Sequence, residues 1–401
     1  KNVQLLVGDG MPWTFDNAAV GVVEQIAKYS TSMIQVSDFW SSVLPTPAED
    51  EIQTEVNLKN LYDAVRRPVD VFVNQRLGLI LPGEENGIEY DFPLWPDTLS
   101  YSQIGRELLD AFQSGDTAEQ WKKRKHLSGG LPLGQLARDL WTKVESEVTA
   151  IHSAAAEVLS RSATQIPVAI SLKDDEMASI DAGFLRIIDT LSVHGNTVLS
   201  MQFSTWNRRL RLLPWLQIAA LTVQHPDEVW QAVVISKPPK DKSTAKKVVE
   251  KPLFALEEFV LVGSSAEERV DSARKVLDFA NAIRTRARRI PLPLFERSSW
   301  ILDKSKSEQQ VELNYELERP SQKLVYSGWA LDDFKNEKLI DEVDEHLPLS
   351  SSRYEAYAAW LSNIWSETVR VTKEAEPKKV KASGAKKKKS ISDSENDEDV
   401  D

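Results

Sequence analysis

The stretch Arg66-Arg67-Pro68-Val69-Asp70-Val71-Phe72-Val73-Asn74-Gln75-Arg76-Leu77-Gly78 interleaves guanidiniums with apolar side chains. Arginine presents a planar fork that suits carboxylates and phosphates alike. Phe72, Leu77 and Leu79 are therefore expected to pack inward, leaving Arg66, Arg67 and Arg76 available to carboxylates or phosphates; the plainer alternative is the solvated face of an amphipathic helix. Arg208, Arg209 and Arg211 offer the same chemistry a second time, with helix-surface salt bridging as the competing role. Other chemistries are poorly provided for. His126, His152, His194, His225 and His346 lack Ser or Asp partners at a recognisable spacing. No Gly-rich phosphate loop ending in Lys-Ser or Lys-Thr is present, so this chain is not expected to hydrolyse ATP.

Composition narrows the setting. With 401 residues, 41% of them hydrophobic, and 12 Trp, the chain can bury a core and exceeds one typical domain. A formal charge of −12 argues against coating nucleic acid through an overall field, so any such contact must be local. Cysteine is absent, which excludes disulfides, thiolate zinc sites, iron–sulfur clusters and a cysteine nucleophile, and fits a cytoplasmic location. No apolar run approaches the roughly 20 residues that span a bilayer, and the N-terminus does not read as a secretory signal. The start at Lys1 suggests a fragment of a longer protein.

The elements that must position these residues follow from periodicity. Asn17 to Ala27 reads as an amphipathic helix, followed by the linker-like Leu44-Pro45-Thr46-Pro47-Ala48-Glu49-Asp50. Asn57 is an expected N-cap for a helix that resumes after Pro68. Helices dominate from Ser100 to about Ser160, with Leu136, Leu140, Val144 and Val148 at helical spacing. The period then shortens: extended segments are expected over Ile166–Leu172, Ser179–Asp189 and Thr197–Phe203, the last after a turn at His194-Gly195-Asn196. An amphipathic helix over about Arg208–Gln224 and a buried strand over Val229–Ser236 come next. The charged connection Lys237 to Lys242 precedes a strand at Glu258–Val262, a capping box at Ser265-Ala266-Glu267-Glu268 and the helix Arg269–Arg288, whose basic end (Arg284, Arg286, Arg288, Arg289) suits a helix C-terminus. A last helix runs from Tyr354 to Val371. From 373 the composition turns to a basic block (Lys378 to Lys381, Lys386 to Lys389) and then an acidic one, expected to be disordered.

The order β-β-β-α-β is that of the PD-(D/E)xK nucleases, so the expected fold is α/β: a mixed central sheet flanked by helices, with extra helical regions. Such a nuclease needs an acid near the end of one strand and an acid-x-Lys pair on the next, to hold Mg²⁺ and position the attacking water. The first acid would be Asp181 or Asp189. The second position falls on Gln202-Phe203-Ser204, which supplies neither a carboxylate nor an ammonium, and a nuclease-like domain without catalysis is the expectation. Gln217, with Leu221 where related exonucleases carry Tyr, looks like a remnant of a Gln-x-x-x-Tyr motif.

The succession of Met11-Pro12-Trp13-Thr14-Phe15-Asp16, the Arg66–Gly78 stretch, the acidic Gly83-Glu84-Glu85-Asn86-Gly87-Ile88-Glu89, Leu99 to Leu109, Ser128-Gly129-Gly130-Leu131-Pro132-Leu133-Gly134 and Pro291-Leu292-Pro293-Leu294-Phe295 resembles the C-terminal third of the gamma chain of exodeoxyribonuclease V, the RecBCD helicase-nuclease. The resemblance runs to about Trp365. It implies residues 1–52 ending a helicase-like region, 53–372 forming a nuclease-like domain, and 373–401 a tail. It also implies a non-catalytic scaffold and strand-separating surface in DNA repair, with beta and alpha chains as partners that use Mg and ATP, and with double-stranded DNA ends and separated single strands as substrates. Arg66, Arg67 and Arg76, then Arg208, Arg209 and Arg211, are the DNA-contact candidates; Trp95, Tyr101 and Trp206 are candidates for base stacking, against a core role. Two alternatives stay open: an active metal-dependent nuclease recruiting Asp174, Asp175 or Asp189, and an interaction module that touches no DNA.

Overall fold

In this computed structural model the described residues are 43–45, 53–81, 98–128, 134–173, 184–239, 254–344, 347 and 352–377. The Asn17–Ala27 helix, most of the Pro-rich linker, the acidic 83–89 segment, most of the Ser128–Gly134 motif, Trp95, Asp174, Asp175, Asp181, His346 and the charged blocks after 377 lie outside them.

Strand β1 (Glu55–Val56) leads into helix α1 (Leu58–Arg66). Asn57 caps α1 as expected: its side chain accepts from the Asn60 N–H, and the Asn60 side chain accepts from the Asn57 N–H in return. Pro68 disfavours helical geometry at the residue before it, and Arg67 has φ −146°, ψ 66°. The helix therefore kinks there and resumes as Pro68–Asp70 and a wide π turn, Val71–Arg76. Helices α2 (Thr98–Gln113), α3 (Ala118–Leu127) and α4 (Gly134–Ala154) follow.

Among the described residues one mixed sheet of seven strands forms the centre, in the order β1-β3-β4-β5-β6-β7, with β2 paired to β3. The added strands are β2 (Ala163–Lys173), β3 (Phe184–His194), β4 (Thr197–Thr205), β5 (Gln231–Lys237), β6 (Ala255–Leu261) and β7 (Val369–Pro377). β2 and β3 are antiparallel from Ala163↔His194 to Lys173↔Phe184. β3 turns into β4 at Gly195, whose φ of 58° is left-handed and favours glycine. β4 and β5 run parallel, joined by the short 3₁₀ turn Arg208–Arg211 and helix α5 (Leu212–Gln224).

Side-chain alternation along the strands sorts the sheet's faces. Val168, Ile170 and Leu172 of β2, Leu185 and Ile187 of β3, Val198 of β4, Ala232 and Val234 of β5 and Phe259 of β6 share one core with α1, α5 and helix α6 (Ala266–Ala287). Phe203, Val233, Ile235 and Leu256 point the other way, against α2 and α4. Helices thus flank both faces of the central strands. On the β2–β3 ribbon the opposite face is uncovered among the described residues, with Phe184 44% and Ile188 41% exposed.

α5 departs from the amphipathic helix expected. Leu212, Trp215, Leu216, Ile218, Ala219, Ala220 and Leu221 are all buried, so it is apolar nearly all round and lies inside the molecule between the sheet and α6. At α6 the Ser265 hydroxyl accepts from Glu268 N–H, while the Glu268 carboxylate accepts from Ser264 N–H. Its basic end is structural: Arg286 donates to Val343 O and Arg289 to Leu44 O, and Arg284 and Arg288 are buried.

A helical excursion separates β6 from β7. After α6 come α7 (Lys306–Leu317), α8 (Pro320–Val325), α9 (Leu331–Asn336) and α10 (Arg353–Thr368). Their aromatic core of Tyr326, Phe334 and Tyr354 packs on Phe72 and Phe295. α10 passes directly into β7, which the periodicity did not announce. It carries the sheet to Pro377, past the expected start of the tail at 373, with Lys373 Nζ 2.9 Å from Glu258 Oε1. Among the described residues no helix is long and apolar enough to cross a membrane.

Helix α2 approaches the sheet closely at Gly105. A Cβ there would fall on the Phe203 ring, itself buried on β4. Gly105→Ala is expected to lower stability by about 1–3 kcal/mol through overpacking, despite the roughly 1 kcal/mol that alanine gains over glycine in a helix. A raised urea midpoint would show that α2 stands further off than described.

Candidate functional site: arginines around a buried glutamate

Chain segments distant in sequence converge on one carboxylate. The Pro68 kink turns Arg66 and Arg67 out at the end of α1. The Arg208–Arg211 turn is fixed at the carboxyl ends of parallel β4 and β5 by Trp206, whose N–H donates to Lys237 O at 2.8 Å. Between α6 and α7, Leu292, Leu294 and Phe295 are buried and carry Glu296 into the interior, where it is only 2% exposed. Arg319 arrives from the residue preceding α8.

The Glu296 carboxylate is divided among four guanidiniums. Oε1 takes Arg66 Nη2 at 3.0 Å and Arg209 Nη1; Oε2 takes Arg319 Nη2 at 2.9 Å and Arg67 Nε at 3.4 Å. Arg319 Nε also lies 3.1 Å from Glu316 Oε2, and Arg67 Nη1 lies 3.9 Å from Asp70. Burial alone would raise the Glu296 carboxyl, but Arg209, Arg66 and Arg319 outweigh it and bring it to about 2. Burial, reinforced by the charge of Glu296, pushes Glu316 the other way despite Arg319. Arg67 is lowered by burial and by the like charges of Arg319 and Arg66. Four guanidiniums face the carboxylates of Glu296, Glu316 and Asp70, an excess of one positive charge, and the arginine side chains remain 18–32% exposed. Arg66 further lies over the Tyr62 ring, 5.5 Å from its centroid.

Of the arginines singled out in the sequence, the structure brings Arg66, Arg67 and Arg209 together and separates the rest. Arg76 Nη2 donates to Pro45 O at 3.1 Å and Arg208 Nη1 to Trp300 O at 2.6 Å. Arg211 forks onto Glu257 at 2.8 and 2.6 Å, its guanidinium 4.8 Å from the Trp365 ring centroid. Arg209 and Arg211 therefore serve buried carboxylates, not helix-surface salt bridges. Tyr101 is half-buried beside Phe203, Lys143 and Lys237, and Trp206 is half-buried beside Arg211.

The nuclease positions fall on the sheet face that carries α5. Ser200, Gln202 and Ser204 alternate there with Val198, and Gln202 lies in register with Ser236 of β5. Gln202 Nε2 donates to Ser200 Oγ at 3.3 Å, the Ser204 hydroxyl is buried, and Gln217 is half-buried on α5. Glu257, the buried acid on β6, is occupied by Arg211, and burial raises its carboxyl against that partner. Asp189 serves the fold, its Oδ2 accepting from Leu58 N–H at 3.0 Å, at the first turn of α1. Among the described residues no three His, Asp or Glu side chains are grouped to hold a metal ion. Sequence reasoning missed Glu296, Glu316, Glu257 and Arg319. The usable signal was the apolar run through Leu294 and Phe295, which delivers an acid directly into the core.

Glu296→Gln, which leaves four guanidiniums around a neutral amide, is expected to cost about 3–5 kcal/mol, read from urea unfolding. Because the folded carboxyl lies near 2, below its ordinary 4.5, its stabilisation is present above the higher value and lost as pH falls toward the lower. Acid unfolding of Glu296→Gln should accordingly be less steep across that window, and identical slopes would remove the charge from the account. Asp189→Ala should cost about 1 kcal/mol as a lost cap while Asp189→Asn costs less; equal losses would mean that the charge, not the hydrogen bond, holds α1.

Comparison with known proteins agrees with the order of motifs. Residues 53–305 match the RecC C-terminal domain. The RecBCD enzyme subunit RecC of Mycolicibacterium smegmatis is 27% identical over 231 residues, covering 57% of this chain and 19% of that protein. The chain thus spans about a fifth of the length of this curated relative. The matched residues include the whole sheet except β7, together with Arg66, Arg67, Arg209 and Glu296. With more than half of its length matched, the chain belongs to the RecC C-terminal domain family.

Proposed function

We propose that this chain acts within the gamma subunit of exodeoxyribonuclease V, the cytoplasmic helicase-nuclease that processes double-strand DNA ends for recombinational repair, as a non-catalytic scaffold and strand-separating surface. The fold is read as a degenerate PD-(D/E)xK domain. The observation that carries this reading is the run β2-β3-β4-α5-β5 with Gln202 and Ser204 where an active enzyme holds a carboxylate and a lysine. A neutral amide and a hydroxyl are poor substitutes, because Mg²⁺ in phosphoryl-transfer sites relies on carboxylates and substrate phosphates. Glu257, the neighbouring acid, is committed to a bidentate arginine pair.

In this role Mg and ATP are used by the beta and alpha chains, which supply the motors and the active nuclease. The present domain holds those chains and offers a rigid surface over which strands part. Such a surface needs only sequence-independent contacts to backbone phosphates, since these position a nucleic acid without reading it.

The test is the assembled complex carrying Asp181→Ala together with Gln202→Ala. DNA degradation and unwinding are expected to stay within about twofold of wild type, because removing groups that do no chemistry leaves the barrier unchanged. Loss of degradation with unwinding retained would overturn the reading in favour of an active nuclease site here.

A further inference from the structure

We propose that the arginine group around Glu296 is a preorganised clamp for the phosphodiester backbone of a single DNA strand, an inference that rests on the function proposed above. An ordinary surface arginine loses side-chain freedom when it grips a phosphate. Here that freedom is already spent: Glu296, buried and charged, holds Arg66, Arg67, Arg209 and Arg319 by their nitrogens while leaving 18–32% of each side chain exposed. The surplus charge is local, in a chain whose overall balance is −12, so it marks this place rather than the whole surface.

A strand is favoured over an acidic protein segment by the aromatic neighbour. Tyr315 is 57% exposed and carries the Arg297 guanidinium 4.2 Å from its ring centroid. Arg297 is the chain neighbour of Glu296 and Tyr315 that of Glu316, which links the ring to the arginine group. Guanidiniums for phosphates beside an exposed aromatic ring for bases are the two components of a single-strand platform.

The experiment measures binding of forked DNA to the full helicase-nuclease complex as a function of salt. Arg67→Gln is the primary variant, because Arg67 is the most exposed of the group and makes its longest contact with Glu296; Arg66→Gln is the second. Each is expected to weaken binding about tenfold, as for a charged hydrogen bond, equally for all DNA sequences. Each should also reduce the magnitude of the slope of log K against log salt by about 0.7, the single-strand value per phosphate. Arg67→Lys should restore the slope and only part of the affinity, because it keeps the charge and loses the fork. Lys59→Gln, which removes an exposed charge from α1 paired only locally with Asp63, should change neither.

An unchanged slope in an assembled, folded complex overturns the clamp and leaves the family role standing. Loss of partner assembly with DNA affinity intact would assign the arginines to an acidic protein surface and also overturn it. Displacement of a phosphate-sensitive probe by inorganic phosphate, with strand binding unaltered, would reduce the site to one for a small anion, again against the proposal. Failure of the wild-type chain to join its partner chains at all would bring down the functional reading and the clamp together.

Discussion

One carboxylate decides how several parts of this molecule meet. Glu296 sits where no water reaches it, and an unpaired charge there would cost several kcal/mol. The fold meets that cost by sending the end of α1, the turn after β4 and the approach to α8 to the same point. Each segment brings a cation that would itself be poorly placed without the acid. The Pro68 kink, the run of buried residues through Phe295 and the turn anchored on Lys237 become parts of one arrangement. The same arrangement explains why Arg211 and Arg209, one residue apart from a shared neighbour in Leu210, serve different acids: a tight 3₁₀ turn spreads adjacent side chains over different faces.

Much of the secondary structure could be read from the chain because local rules determine it. The Asn57 cap, the alternation of β2 and the Gly195 turn each depend on neighbours within a few residues, and each is where the periodicity put it. Two errors have a common origin. α5 was expected to be amphipathic because its arginines were counted with it, but those belong to the preceding turn and the helix proper is apolar. β7 is not legible because its solvent-side residues, Arg370, Thr372 and Glu374, resemble the polar composition that follows it; only pairing with β6 makes them a strand.

The site was legible only in halves. Both basic groups could be seen as phosphate- or carboxylate-seeking, but nothing local shows that Arg66 and Arg209 share an acid so distant in sequence. The acid itself is announced only by its unusual place after an apolar run. Asp189 illustrates the converse: a strand carboxylate in the order β-β-β-α-β invites a catalytic reading, and in the structure its Oδ2 accepts from Leu58 N–H at the start of α1.

Arg319 lies beyond the residues that match the family, yet it supplies one of the closest contacts to Glu296. The helices between β6 and β7 are therefore part of the charge balance of the core and not an appendage to it. Without them Glu296 would be a core glutamate short of one cation, a deficit that another segment would have to make good. A segment outside the matched residues is thus tied by charge to the core inside them, so that loosening the one exposes the other.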